Sequence, residues 1–332
     1  MELYIFDSSL TFKGMIDNFT SLRWVEKYNL CGEFELHCDL TNDNLILLQE
    51  ENIIYKKDST EVGAISFINY KLDAEGKEVI ACKGKFATSY LSRRLALGTN
   101  VITATSENIM RTLVTDNATS PIDSNRTIPN LLLGAFNSYT IGNVDYTLSN
   151  KELLEDIINL TILNGLGFKT EFDVNTKKLT FNVYQGLDRS VNQSVNSRAI
   201  FSKDFDNILE QEYTDSLDNY KNVAYGLTTS VGVSTGLDRF EMFADNDLNV
   251  ELGKRLKITT FDSKINLQSN LNYKVDFNLG DIVTCVSKKW NVTLDSRISE
   301  VESVYEENGL SINVVFGDNI PTLTDKIKQL RK

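Results

Sequence analysis

Two neighbouring segments near the N-terminus alternate apolar and polar residues, and they restrict the possible folds of this chain more than any other feature. They are LRWVEKY at residues 22–28 and GEFELHCDL at residues 32–40. A period of two sends successive side chains to opposite faces of a strand, so each segment predicts a half-buried β-strand. The residues between them, 29–32, are typical of a turn. The pair therefore predicts antiparallel β-structure at the start of the chain.

The pattern continues to about residue 95. Residues 62–72 and 77–83 predict a hairpin across the turn-rich tetrapeptide DAEG. Together these segments are typical of a small antiparallel barrel or sandwich.

The middle of the chain changes to mixed helix and strand. Residues 106–115 predict a helix with Ser106 as its N-cap. A second helix is predicted over residues 149–165, with Ser149 as the cap, Glu152 completing a capping box and Gly165 ending it. Residues 168–172 and 178–184 then predict a hairpin. We interpret 96–185 as an inserted α+β domain.

The C-terminal part returns to β-structure, with strands predicted within 276–290, 291–305 and 309–316. Residues 248–257 predict a short helix. The predicted domains are a first tube-like β-barrel at 1–95, an inserted peripheral α+β domain at 96–185, a second tube-like β-barrel from 186–245 and 275–320, a small peripheral insertion at 246–274 and a C-terminal tail at 321–332. The predicted fold class is β-rich α+β.

Composition narrows the classes of function. The chain has 332 residues and a net charge of −12. An acidic protein repels phosphate backbones, which disfavours specific nucleic-acid binding, although the same charge could line a channel through which DNA slides. The first ten residues do not form a signal peptide, and no stretch reaches the ~20 apolar residues of a membrane span.

Residues with catalytic potential are few. The one histidine, His37, lies in a predicted strand, which favours a place on a sheet face. The four cysteines are predicted to be free thiols of a protein made in the reducing bacterial cytoplasm. The pairs Asp204/Asp206 and Glu306/Glu307 have the composition of glycosidase carboxylates, but they lie in predicted loops without an aromatic cleft. The sequence therefore predicts a protein that is not an enzyme and has no cofactor and no metal.

Residues 184–226 combine two predicted strands with long polar connections and no catalytic spacing. A stretch of this kind favours shape and contact with partners. Within it, Asp188 and Arg189 of GLDRS are consistent with a salt-bridged turn or with a subunit contact.

Several motifs resemble those of the phage-tail hub family, found at the baseplate or tail tip of siphophages, contractile phages and related bacteriocins. They are YNLCGEFELH (28–37), KGKFATSYLSRRL (83–95), YQGLDRS (184–190), FSKDFDNI (201–208), YKNVAYG (220–226), and LGDIVTC (279–285) with VVFGDNIPTLTDKIK (314–328). Their order, more than any single motif, carries the resemblance across nearly the whole chain.

The resemblance implies two tube-type β-barrel domains with peripheral domains. It also implies a homotrimer that joins a hexameric tail tube to a central spike, contacts baseplate wedge proteins and leaves a lumen for DNA or the tape-measure protein. Longer relatives continue into a hydrolase or receptor-binding region, which we expect to be absent here. The alternatives are a tail-associated peptidoglycan hydrolase or endopeptidase, and a carbohydrate-binding tail accessory protein. By analogy with the motifs, the predicted subunit-contact residues are Phe201, Asp204, Asp206, Asn219, Asn222 and Val223.

Overall fold

The computed structural model describes residues 1–72, 76–97, 101–139, 142–147, 150–244 and 248–317. The chain divides into two compact units. Unit 1 contains Met1–Gln185 and Glu302–Ser311, and unit 2 contains Gly186–Val301 and the described residues from Ile312 onward. The predicted C-terminal tail and most of the predicted DAEG turn lie outside the described residues.

Unit 1 contains a large antiparallel sheet. Its strands run in the spatial order β3-β4-β7-β6-β5-β1-β2. The short helix α1 (Asn42–Leu47) connects β4 to β5. The strands are β1 (Leu3–Phe6), β2 (Phe12–Ile16), β3 (Phe19–Lys27), β4 (Glu33–Asp39), β5 (Ile53–Lys56), β6 (Val62–Leu72) and β7 (Glu78–Phe86).

The remainder of unit 1 is mixed helix and strand. A 3-10 helix at Ala87–Arg93 follows β7. The helices and strands that come after it are β8 (Val101–Ala104), α2 (Ser106–Val114), β9 (Leu131–Leu133), β10 (Val144–Thr147), α3 (Leu153–Asn164), β11 (Gly167–Asp173) and β12 (Lys178–Tyr184). Strands β11 and β12 form the predicted hairpin, and β9 pairs with β12 in parallel.

The hydrophobic core of unit 1 has two clusters. One lies against the large sheet and includes Leu22, Trp24 and Phe34, all of them buried. The other joins the α2 and α3 region to the start of the chain, because Leu113 and Phe168 share a cluster with Phe6.

Helix boundaries show where local prediction holds. Gly165 ends α3 in a left-handed conformation with φ of 60°, as predicted. Helix α3 begins after Glu152, however, and the predicted cap Ser149 lies outside the described residues. The cap of α2 is Thr105 instead of Ser106, because Thr105 is the last extended residue and its side chain accepts from the amide of Asn108.

The main sheet of unit 2 combines strands from the early and the late part of its sequence. Its strands and helix are β13 (Ile200–Ser202), β14 (Ile208–Ser216), β15 (Val223–Tyr225), β16 (Ser230–Val231), β17 (Glu241–Phe243), α4 (Leu248–Gly253), β18 (Ile258–Ile265), β19 (Ile282–Ser287), β20 (Val292–Glu306) and β21 (Gly309–Gly317). The main sheet has the order β14-β18-β21-β20, while β19 pairs with β20 and with β13. Strands β15, β16 and β17 form a separate small sheet.

Strand β18 modifies the predicted domain limits. It lies between β14 and β21 in the main sheet, although residues 246–274 were predicted to be a peripheral insertion. That prediction does not hold for residues 258–265, because Phe261 and Ile265 project from one face of β18 into the core of unit 2.

The hairpin of β20 and β21 begins in unit 2, and its tip belongs to unit 1. Two contacts hold the tip within unit 1. The guanidinium of Arg23 donates to the carboxylate of Glu302, and the buried ammonium of Lys56 lies 3.2 Å from the hydroxyl of Tyr305. These polar contacts join Glu302 and Tyr305 to residues near the start of the chain.

The fold is β-rich α+β, as predicted. Its sheets are open among the described strands, since β2 pairs only with β1 and β14 pairs only with β18. The two predicted β-barrels are therefore not observed among the described strands, which form open sheets with free edges. All four cysteines are free, and burial raises the pKa of Cys31 and of Cys38 to about 12.

Candidate functional site

The GLDRS loop at residues 186–190 is fastened inside unit 2 by a buried ion pair. The Arg189 Nε atom lies 2.8 Å from the Asp281 carboxylate, and the two side chains are 12% and 3% exposed. Asp281 also accepts from the backbone amides of Leu187, at 2.8 Å, and Asn278, at 2.9 Å. The sequence suggested a salt-bridged turn at Asp188 and Arg189, but the ion-pair partner of Arg189 is Asp281, and Asp188 accepts from the amide of Ser190 at 2.9 Å.

The same loop approaches the neighbouring turn closely. A Cβ atom added to Gly186 would lie 1.9 Å from the carbonyl oxygen of Gly280, which no side chain can do without movement of the backbone. Gly280 itself has a φ of 91°. Two motifs of the sequence, YQGLDRS and LGDIVTC, thus form one structural junction.

In the FSKDFDN segment, residues 201–207, the side chain of Asn207 bonds back to the backbone of the preceding strand β13. Its oxygen accepts from the amide of Ser202 at 2.9 Å, and its nitrogen donates to the carbonyl of Ile200 at 2.7 Å. Phe201 is fully buried and packs edge-on against Phe277. The Phe201 side chain therefore belongs to the core of unit 2 and is not available on the surface of this chain.

Two predicted contact residues in this segment are on the surface. Asp204 is exposed, and its carboxylate lies 3.4 Å from the ammonium of Lys288. Asp206 is exposed and has a φ of 53°, and its carbonyl accepts from the side chain of Asn266 at 2.7 Å. Their side chains can reach a partner.

The YKNVAYG segment is joined to GLDRF at residues 236–240 by Asn222. The Asn222 side chain donates to the carbonyl of Asp238 at 2.6 Å and accepts from the amide of Phe240 at 2.9 Å. Val223 is buried, whereas Asn219 is exposed with a φ of 61°. Of the six predicted residues, then, Asp204, Asp206, Asn219 and the half-buried Asn222 lie at the surface.

An acidic cluster on the main sheet of unit 2 was not predicted from the sequence. Asp262 on β18 is directly opposite Glu212 on β14. Burial of the Asp262 carboxyl, followed by repulsion from Glu212 and Glu300, raises its pKa to about 6. The β-branched and aromatic residues of β18 are typical of a strand. From the sequence, however, this stretch was assigned to a peripheral insertion.

One face of the large sheet in unit 1 carries a ladder of charges. The Glu35 carboxylate contacts Lys83 at 2.9 Å and the His37 ring at 2.8 Å, and Glu33 lies 3.3 Å from Lys27. His37 is on the sheet face, as predicted.

Over the described residues, no group of histidine, cysteine and carboxylate side chains could hold a metal ion. No helix in the described part of the chain is long and apolar enough to cross a membrane.

The fold is that of prophage tail proteins. Prophage tail protein gp18 from Listeria monocytogenes aligns with a TM-score of 0.59 and 11% identity over 100% of this chain and 98% of that one. A tail protein from Neisseria meningitidis aligns with a TM-score of 0.60 and 11% identity, over 96% of each chain. The tail protein of prophage MuSo2 from Shewanella oneidensis gives 0.58 and 9%, over 95% and 96%.

The sequence itself defines the family. Residues 2–247 and 239–318 match the model of the Siphovirus ReqiPepy6 Gp37-like proteins, and the chain belongs to that family. No curated protein matches the sequence significantly. The resemblance to phage-tail hub proteins that the motifs predicted is confirmed.

Proposed function

We propose that this chain is the structural hub of a phage tail or of a related bacteriocin particle. It assembles as a homotrimer, and the trimer joins a hexameric tail tube to a central spike. A threefold ring in which each chain supplies two similar domains presents six of them, which solves the mismatch between a sixfold tube and a threefold spike. The alignment of the whole chain with whole tail proteins is the observation that supports this most.

The use of the motif residues agrees with a structural role. Arg189, Asn207 and Asn222 each bind other parts of the same chain. We therefore propose that the chain has no enzymatic activity of its own.

Tail tube, spike and baseplate wedge proteins are its proposed partners, and DNA or the tape-measure protein passes through the lumen. The particle's tail is its proposed location.

The free sheet edges support assembly with other copies. Strand β14 in unit 2 and strand β2 in unit 1 each have one paired side within the described strands. An edge strand presents unpaired N–H and C=O groups that a neighbouring strand can bind. Phe12 and Met15 on β2 are exposed and add apolar area to that edge.

The test is the mass of the purified chain in solution, measured by light scattering after size exclusion. We expect three times the 37.5 kDa of one chain, and the same protein in purified tails. A stable monomer that is absent from tails would refute the proposal. Zymography on cell walls separates the enzyme alternative, because clearing that disappears when a carboxylate is substituted would favour a hydrolase.

A further inference from the structure

Three arginines surround one pocket in unit 1, although the chain as a whole is acidic. The pocket has a volume of about 210 Å³ and is lined by Arg93, Arg94, Leu95, Leu97, Asn125 and Arg126. Like charges held close together repel each other, so this arrangement does not stabilise the fold by itself. It concentrates positive charge on a chain whose net charge is −12.

The charges of two of these arginines are not neutralised. Arg93 forms a bidentate pair with Glu51, with both N–O distances 2.9 Å. Arg94 and Arg126 donate instead to backbone carbonyls, such as Arg93 O at 2.9 Å and Leu95 O at 2.5 Å. Neither is ion-paired to a carboxylate in the described ranges. Carbonyl acceptors orient a guanidinium but leave its full charge in place.

Arg126 is held by a π-helical turn at Thr115–Thr119. Asn117 in this turn is buried, and its side-chain oxygen accepts from Arg126 at 3.2 Å and from the amide of Leu97 at 3.3 Å. Its nitrogen donates to the carbonyl of Leu113 at 3.0 Å. Single π-helical turns occur often at functional sites. The guanidinium of Arg126 is therefore positioned before any ligand binds.

Donors remain available for a ligand. A guanidinium has five N–H groups, and the bonds of Arg126 described above use only its Nη2 atom. The nearest carboxylate in sequence, Asp123, accepts from the amide and side chain of Asn125, both at 3.0 Å. Leu95 and Leu97, about half exposed, line the same pocket and offer apolar surface beside the charge.

We propose that this pocket binds a carboxylate side chain of an acidic peptide segment with an apolar neighbour, supplied by another protein. A pocket of this size accommodates about one side chain, and its leucines complement an apolar residue next to the acid. Nucleic acid fits poorly, since the acidic chain repels a phosphate backbone. We place this other protein in the same particle on the basis of the proposed tail function, whereas the binding chemistry does not depend on that function.

Two peptides test the chemistry on the full chain. They are acetyl-Gly-Leu-Glu-Leu-Gly-amide and its counterpart with Gln in place of Glu. We expect the Glu peptide to bind at least tenfold more tightly and to shift the Arg Nε–H signals of Arg94 and Arg126 in NMR spectra. Equal binding of the two peptides would overturn the proposal. So would binding of inorganic phosphate without binding of the Glu peptide.

Variants locate the site. Arg126→Gln should weaken binding of the Glu peptide at least tenfold, while Arg198→Gln should leave it unchanged. Arg198 is a matched control, because it is exposed and also donates to a carbonyl, that of Gln193. If R126Q fails to fold, R126K keeps the charge without the planar fork and should still lose affinity. Undiminished binding by the folded Arg126 variant would refute the assignment. A trimeric mass with no peptide binding would overturn this site alone and leave the hub function standing.

Discussion

The carboxylate of Asp281 binds the guanidinium of Arg189 at 2.8 Å across 92 residues of sequence. Both side chains are largely removed from water, and Asp281 additionally accepts two backbone amides. A buried charge that loses its partner keeps its desolvation cost, so removal of one member is more damaging than the pair is stabilising. The pair thus makes the GLDRS loop dependent on the LGDIVTC turn.

We expect Asp281→Ala to lower the free energy of unfolding by about 3–5 kcal/mol, because it removes the ion partner of the largely buried Arg189 and the acceptor of two amides. Urea denaturation measures the change. Lys83→Gln is the control, since Lys83 pairs with Glu35 at the surface and such pairs contribute about 0–1 kcal/mol. An Asp281→Ala loss no larger than that of the control would contradict the structural role of the pair.

The close approach of Gly186 to Gly280 gives a second prediction. Gly186→Ala should cost at least about 1–3 kcal/mol of unfolding free energy, because its Cβ would overlap a backbone oxygen. Gly142→Ala is a matched control, with nothing within 4 Å of its Cβ and no positive φ. Thermal unfolding compares the two variants. Equal melting temperatures would show that the backbone relaxes freely at this junction.

The acidic cluster predicts a pH dependence. The pKa of Asp262 is raised to about 6 in the folded state, against about 3.9 in an unfolded chain. The protonated carboxyl is therefore favoured by folding, and its contribution to stability is present below pH 4 and lost as the pH rises through 6. Because the group is partly exposed, screening reduces the effect to about 1 kcal/mol.

Asp262→Asn removes this titration. We expect the variant to be more stable than the parent chain at pH 7, with the difference shrinking towards pH 4. Chemical denaturation at a series of pH values measures it. A difference that stays constant over that range would mean that Asp262 does not titrate as inferred.

The two hydrogen bonds of the Asn222 side chain give a fourth prediction. Asn222→Ala should remove two hydrogen bonds to residues 238–240, lower the unfolding free energy by about 1 kcal/mol and open this segment locally. Hydrogen exchange at the Phe240 amide is the readout, since that amide loses its acceptor. Exchange at Phe172, whose amide donates to Thr60 in unit 1, should stay as slow as before. Uniform acceleration at both amides would indicate global destabilisation instead.

The structural features that could be predicted from the sequence are those that depend on residues close together in the chain. The hairpin of β11 and β12 and the end of α3 at Gly165 follow from alternation and from glycine's tolerance of positive φ. The salt bridge of Arg189 could not be assigned a partner, because pairing over 92 residues depends on tertiary packing. The arginine pocket was hidden for the same reason, as Arg126 comes from a segment that local composition indicates to be a loop.

Burial separates the predicted subunit-contact residues into two groups, and this difference gives a fifth prediction. Phe201 is in the core, so Phe201→Ala should cost about 3–5 kcal/mol. Asp204 is exposed and, on our proposal, contacts a neighbouring copy, so Asp204→Arg should reduce the trimer mass without changing the melting temperature of the dissociated chain. Light scattering over a dilution series measures the assembly. Glu50→Arg is the control, since Glu50 is exposed and lies neither among the predicted contact residues nor on the edge strands β2 and β14. If the trimers of Asp204→Arg and Glu50→Arg dissociate at the same concentration as the parent, Asp204 does not belong to the interface.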